Sequence, residues 1–240
     1  MIRVGITGQA GFIGSHLADY FRIQDDIELV PFIRDYFDGT NALEGFVAKC
    51  DVIIQLAAMS RHPDGKLLYE NNINLDKKLI SALEKQNSQA HIIFASTTHE
   101  AREGDYYASK RDGQKLFRAW GGKFTAMVMP NTFGPCGKPY FNSVVSTFCY
   151  KVARGEQAEI ITDTPVELIY INNLCHEFHK VIKGETKENS YIPPASVTIK
   201  VSEILDLLLS FRKLYVEQKT IPEFKNAFEI NLFTTFQSYL

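Results

Sequence analysis

The sequence lacks the features that mark several large functional classes. Its four cysteines, Cys50, Cys136, Cys149 and Cys175, stand far apart with no C-x-x-C pair, which argues against a disulfide framework and against a structural zinc site. No apolar run approaches the roughly 20 residues that a membrane-spanning helix needs. There is no basic tail or arginine stripe, and the formal net charge is −2, so a nucleic acid is not the expected partner. The opening "MIRVGITGQAG" has an early charge and then glycines, which predicts neither a signal nor a transit peptide. Internal repeats and low-complexity tracts are missing too. These absences predict a protein of the reducing cytoplasm with no membrane partner.

What is present is globular in composition: 240 residues, 45% hydrophobic and 22% charged. That length suits one large α/β domain, or a main domain with a smaller lobe. The first half alternates short apolar runs with amphipathic ones. "RVGIT", "ELVPFIR", "DVIIQLAA", "HIIFAS" and "FTAMVM" read as strands, with a further stub expected near Phe37. "GFIGSHLADYF", "ALEGFVAK", "LLYENNINLDKKLISALEKQ" and "YYASKRDGQKLFRAW" read as the helices between them. The strands are continuously hydrophobic, as expected where helices cover both faces of a parallel sheet. The predicted fold class is therefore α/β, a doubly wound parallel sheet of the Rossmann kind. After Pro130 the loop "PNTFGPCGKPYFNS" is rich in Pro, Gly and Asn, and helical patterns follow. The expected division is a nucleotide-binding domain over residues 1–130 and a mostly helical lobe over 131–240 that packs on the sheet and builds a substrate cleft. The one metal-like cluster, "CHEFH" at 175–179, has H-E-x-H spacing rather than H-E-x-x-H, and reads as a helix with two partly exposed histidines and no metal.

"GITGQAGFIG" ends the first strand and opens the first helix, with Gly8, Gly11 and Gly14 three apart. Glycines let a backbone turn sharply and approach a pyrophosphate, and the helix N-terminus then offers unpaired N–H groups and a positive dipole end. The strand–loop–helix context makes a bound dinucleotide the expected cofactor. In "PFIRDYFD" Arg34 precedes Asp35. A guanidinium matches the 2′-phosphate of NADP, so Arg34 favours NADPH; the other reading, a solvated Arg34 with Asp35 on the ribose of NAD, stays open.

"GDYYASK" places Tyr106 four residues ahead of Lys110, one helical turn away on the same face. Alone, such a pair is ordinary. A free phenol titrates near 10, and a neighbouring ammonium is expected to draw it towards neutrality, where proton transfer is efficient. Tyr107 is the competing frame, but its partner four residues on is Arg111, which cannot be deprotonated.

The ordered set T-G-x-x-G-F-I-G, a strand ending in L-A-A, a Ser/Thr cluster after the next strand and Y-x-x-x-K on the following helix resembles the extended short-chain dehydrogenase/reductases, strongly over residues 1 to about 135. The resemblance implies Tyr106 as acid/base, Lys110 as its partner and Thr97 as the hydroxyl that holds the substrate oxygen. It implies a cofactor site of Gly8, Gln9, Ala10, Gly11, Phe12, Ile13, Gly14, Arg34, Leu56, Ala57, Ala58, Ser96, Tyr106, Lys110 and Pro130. Asn72 matches the helix asparagine that buttresses such sites, with a capping or exposed role as the alternative. Dehydratases of this family carry an acidic pair directly after the active-site threonine; here Thr98 and His99 intervene and Glu100 comes one place late, which disfavours dehydration.

"PNTFGPCGKPYFNSVVSTFCYKVARGE", "VELIYINNL" and the terminal "FEINLFTTFQSYL" look like the capsular-polysaccharide UDP-sugar reductases of the CapF/WbjC type. Those enzymes use NADPH to reduce the 4-keto group of a UDP-2-acetamido-2,6-dideoxy-hexos-4-ulose on the route to UDP-N-acetyl-L-fucosamine. They continue into a C-terminal cupin domain, and this chain stops where that domain would begin. The arginine often found shortly before the P-N of "MVMPN" is replaced by Val128 and Met129. The likeness makes Arg61, Asn72, Thr98, Asn131, Phe133, Asn142 and Ser143 candidates for substrate contacts, with loop capping or a solvated charge as the alternative for Asn131, Asn142, Ser143 and Arg61. A homodimer through residues 66–87 and 105–120 is implied as well. Two other functions stay open: an NAD-dependent nucleotide-sugar 4-epimerase, and a non-catalytic NADP-sensing protein on the same fold.

Overall fold

A computed structural model describes residues 1–39, 41–186 and 189–240. The chain divides into two units, Met1–Met129 with Cys175–Pro193, and Pro130–Leu174 with Pro194–Leu240.

In the first unit, β1 (Ile2–Thr7), α1 (Phe12–Arg22), β2 (Ile27–Val30), α2 (Ala42–Val47), β3 (Val52–Gln55), α3 (Gly65–Lys85), β4 (His91–Thr97), α4 (Asp105–Trp120) and β5 (Phe124–Met129) alternate as the apolar pattern predicts. The strands lie in the order β2-β1-β3-β4-β5, every neighbour parallel. β3 is buried at all its positions, and β4 and β5 at all but the last. Burial on both faces explains the continuous hydrophobic runs. Phe94, Phe117 and Phe124 fill the layer between β4, β5 and α4, with Phe117 and Phe124 stacked at 5.9 Å. The strand order reverses direction between β1 and β3, and in open α/β sheets ligands bind at the carboxyl ends of the strands at such a point.

Two expectations fail around the second strand. No stub strand forms near Phe37; residues Arg34–Phe37 make a 3-10 turn whose Phe37 ring is buried against Phe32. Strand β2 ends at Val30, so Arg34 does not come directly off it and instead opens that turn, exposed. The turn closes with backbone bonds from Asp38 and Gly39 to the Asp35 carbonyl, and aromatic packing around Phe32 outweighs the strand propensity of "VPFI".

The second unit contains β6 (Asn131–Phe133), α5 (Val144–Ala153), β7 (Pro165–Tyr170), the first residues of α6 (Ile171–Ile182), and, after β8 (Ser190–Tyr191) of the first unit, β9 (Val197–Lys200), α7 (Val201–Phe211) and α8 (Ala227–Gln237). β6, β7 and β9 form a small mixed sheet. The lobe expected over 131–240 is therefore interrupted. Residues Cys175–Pro193 return to the first unit, where β8 adds a sixth parallel strand beside β5 and His179 of α6 bonds Asp26 at 3.0 Å. His176 and His179 of the "CHEFH" segment both share the Tyr20 hydroxyl, at 3.0 and 3.3 Å. Among the described residues, no helix is long and apolar enough to cross a membrane.

His91, at the start of β4, is buried with its Nε2 2.9 Å from the Thr125 hydroxyl, and burial pushes its pKa down from 6.5 to about 4. The unfolded chain therefore takes up this proton first. Stability is expected to fall as pH drops from 6.5 towards about 4. Urea unfolding across that range checks it, and His91→Gln should flatten the slope.

Candidate active site

Strand β1 ends at Thr7, and the chain turns at Gly8 with φ of 73°, a conformation that favours glycine. The Gly11 N–H closes the loop on the Gly8 carbonyl at 2.9 Å. A Cβ at Gly14 would lie 2.4 Å from that same carbonyl oxygen, and one at Gly8 would lie 3.0 Å from the Ala57 nitrogen. The loop is thus packed down on its own helix and on the segment after β3, as close as backbone can come. Helix α1 has no side-chain N-cap and no acidic residue in its first turn. Its leading N–H groups and positive dipole end are left for an anion, so residues 8–14 fit a dinucleotide pyrophosphate.

Thr7 ties this loop to the rest of the site. Its hydroxyl accepts the N–H groups of Leu56 and Ala57, each at 3.1 Å, and donates to Gln55 Oε1 at 2.5 Å. Leu56 and Ala57 therefore lie against the glycine loop. Asn72 is buried and braces the same segment. Its amide oxygen accepts the Met59 N–H at 2.7 Å, and its Nδ2 donates to the Met59 carbonyl at 2.9 Å and to Ser109 Oγ at 3.0 Å. Ser109 in turn donates to the Tyr106 carbonyl at 2.7 Å. With its amide saturated by protein, Asn72 is a buttress and its side chain is not free for substrate.

Tyr106 and Lys110 face the same side of α4, with the ammonium 5.8 Å from the tyrosine ring centre and 4.9 Å from that of Phe94. Lys110 is 5% exposed. Burial pushes its pKa down, and Asp76 pulls it back up. The expected lowering of the Tyr106 pKa is not what this arrangement gives. Burial, then Tyr107, push the phenol above its ordinary value. Desolvation penalises the phenolate. Tyr106 is thus a neutral acid at physiological pH. It opens with Ser60, Arg61, His62, Leu68 and Tyr107 onto a cavity of ≈ 490 Å³.

Thr97 ends β4, and its hydroxyl oxygen accepts the His99 N–H at 3.2 Å. Thr98 is half-buried, its N–H bonded to the Met129 carbonyl at 3.0 Å. Ser96 is buried, and its hydroxyl donates to Glu100 at 2.7 Å and accepts from Gln114 at 3.0 Å, so only its backbone remains for a cofactor. Gln114 donates to the same Glu100 oxygen at 2.6 Å, and Arg111 bonds the Glu100 carbonyl. The Glu100 carboxylate is held back by this cluster, not offered as an acid. In the second unit, Pro130 precedes β6 and its carbonyl accepts from the Thr132 hydroxyl at 3.3 Å. Asn131 is half-buried on β6. Phe133 is a core residue instead of a substrate contact: it is 1% exposed and packs on Tyr170 and Phe228. Ser143 caps α5 by accepting the Ser146 N–H at 3.2 Å, and the exposed Asn142 stands just before it.

These features define a dinucleotide-binding α/β protein with a tyrosine–lysine pair on the helix after the fourth strand. Residues 4–191 match the NAD dependent epimerase/dehydratase family, and the chain belongs to it. It is 26% identical over 246 residues to the UDP-2-acetamido-2,6-beta-L-arabino-hexul-4-ose reductase of Pseudomonas aeruginosa, an alignment covering 100% of this chain and 65% of that protein. The crystal structure of the capsular polysaccharide assembling protein CapF from Staphylococcus aureus superposes with a TM-score of 0.82 at 28% identity, over 100% of this chain and 65% of that one. The chain thus spans 65% of the length of both. RMD from Pseudomonas aeruginosa, solved with NADPH, shares the fold with a TM-score of 0.84 at 18% identity, over 100% of this chain and 99% of that one.

Gly14→Ala is expected to weaken dinucleotide binding about tenfold or more, because the methyl group would force the loop off its helix. Titration of nicotinamide fluorescence measures the loss.

Proposed function

We propose that this chain carries the NADPH-dependent reduction of the 4-keto group of a UDP-2-acetamido-2,6-dideoxy-hexos-4-ulose, on the way to UDP-N-acetyl-L-fucosamine for a capsular or O-antigen polysaccharide. The observation that carries the reading is a neutral, pocket-lining Tyr106 one turn from a buried Lys110. The likeness to the Pseudomonas aeruginosa reductase along the whole chain supports the substrate class.

NADPH, when bound, supplies the hydride that the carbonyl carbon receives. The remaining steps belong to the protein. Tyr106 gives its phenolic proton to the carbonyl oxygen as that oxygen gains charge, and a phenol kept protonated at neutral pH suits this direction. Thr97 accepts from the His99 N–H, so its own hydroxyl hydrogen is left to bond the same oxygen. The charge of Lys110 stabilises the phenolate that remains until solvent restores the proton. Glu100 is engaged by Ser96 and Gln114 and is not offered to a departing hydroxyl, which supports reduction over dehydration. Arg61 shares the cavity with Tyr106 and is assigned to the substrate's diphosphate or sugar. Arg34 is assigned to the 2′-phosphate of NADPH, its exposed place at the head of a short turn leaving the guanidinium free to swing.

Mixing the protein with NADPH and UDP-4-keto sugars should give loss of nicotinamide absorbance. Tyr106→Phe should lower kcat about 10²-fold or more while leaving cofactor binding intact. Tightly bound NAD with no NADPH oxidation would instead identify a 4-epimerase, and an unchanged turnover in Tyr106→Phe would overturn the chemistry. Arg34→Ala should weaken NADPH about tenfold and leave NADH unaffected; the ratio of the two Kd values is the measurement.

A further inference from the structure

Asp76 lies on α3 and takes part in none of the roles assigned so far. It is 3% exposed. Its Oδ1 accepts from Gln55 Nε2 at 2.9 Å. Its Oδ2 approaches α4 so closely that a Cβ at position 113 would lie 2.5 Å away, and the residue there is Gly113, three after Lys110. A glycine inside a helix costs about 1 kcal/mol against alanine. Here it opens the surface of α4 to a carboxylate.

The direction of the hydrogen bonds fixes which end of the Gln55 amide faces that carboxyl group. The Leu56 and Ala57 N–H groups can only donate, and they occupy both lone pairs of the Thr7 hydroxyl. Thr7 must therefore donate its own hydrogen, and Gln55 Oε1 receives it. That turns the Gln55 amide nitrogen towards Asp76, whose Oδ1 must accept. Backbone donors of the segment after β3 thus specify, through two side chains, that Asp76 Oδ1 accepts, which orients the carboxyl group with its Oδ2 towards α4.

Lys110 needs such a group. Its ammonium is buried over the rings of Phe94 and Tyr106. A buried ammonium with no counter-charge is strongly disfavoured. The groups that pack around the pair are Gln55 from β3, Phe94 from β4, and Tyr106 and Gly113 from α4. Tyr106 is the titratable one among these, and it is held neutral. A Cβ at position 113 would meet both Asp76 Oδ2, at 2.5 Å, and the edge of the Phe94 ring, at 2.8 Å, and the Lys110 ammonium lies over that same ring, so the carboxyl group and the amine share one buried spot.

We propose that Asp76 is a positioning residue for the reductase chemistry: anchored through Gln55 to Thr7, its carboxylate is the internal counter-ion that keeps Lys110 charged and in place beside Tyr106. The proposal rests on the reading of Lys110 as the active-site lysine. Removing the anion removes what favours the charged amine, so the Lys110 pKa must fall when Asp76 is neutralised. Burial itself pushes Asp76 up to about 7, so the counter-ion becomes fully charged only as pH rises through neutrality.

The test is lysine side-chain ¹⁵N NMR on the full chain without cofactor. In the wild type, the Lys110 signal should move in two steps, the lower one following Asp76. In Asp76→Asn the lower step should vanish, and the acid dissociation constant of Lys110 should rise about tenfold or more. Gln55→Leu should shift it in the same direction by less. With substrate, the alkaline limb of the kcat/KM profile should move to lower pH in Asp76→Asn, a change that a packing defect would not produce. A Lys110 titration unchanged in a folded Asp76→Asn overturns the proposal. If that variant does not fold, a single-step Lys110 titration in the wild type overturns it, and a two-step one upholds it. Absence of turnover with every UDP-4-keto sugar would sink the reductase reading and leave these titrations untouched, so the two failures are distinguishable.

Discussion

A lysine ammonium enclosed between a helix and the sheet is the constraint on which the rest of the site depends. Lys110 cannot occupy that place on α4 unless something nearby offsets its charge and something else gives it room. Asp76, one turn beyond Asn72 on α3, supplies the opposite charge, and Gly113 lets the carboxylate in. Phe94 offers an aromatic face beneath the ammonium. These positions come from β4, α3 and α4, so the relative placement of three elements is fixed around one amine.

The same chain of contacts joins the two functional ends of the first unit. Thr7 closes β1, caps the segment after β3 with its hydroxyl, and orients Gln55. The segment packed against the glycine loop and the carboxyl group beside α4 are therefore joined by one buried hydrogen-bond chain through Thr7 and Gln55. Asn72 performs a parallel service one turn earlier, linking Met59 to Ser109 and hence to the backbone of Tyr106. Such networks rigidify a site when every member is satisfied, as these are.

Much of this was legible in the residues. The glycine spacing, the apolar strands and the tyrosine–lysine step are local patterns, and local patterns survive folding because they depend on neighbours in the chain. The misreadings share one cause. "VPFI" has strand propensity, but aromatic packing between Phe32, Phe37 and Phe46 curls the chain after Val30. Phe133 sits in a loop-rich stretch that looked like a substrate segment, yet it fills a core. Residues Cys175–Pro193 carry no local mark of belonging with the first unit; the pairing of β8 with β5 and the contacts of His176 and His179 with Tyr20 and Asp26 reveal it. Asp76 and Gln55 did leave a trace, a polar residue at an apolar position of α3 and another at the end of a fully apolar strand. That trace says a buried partner exists without saying which.

The sequence by itself determined the strand–helix alternation, the phosphate-cradling loop and the pairing of Tyr106 with Lys110, because each is set by spacing along one strand or one helical turn. Only the tertiary structure decided that the phenol is buried, that Glu100 is held by Ser96 and Gln114, and that Asp76 packs against Gly113 of α4. Those depend on burial and on charges brought together from distant parts of the chain, and the cost of desolvating a charge is a property of its surroundings and not of its neighbours in sequence.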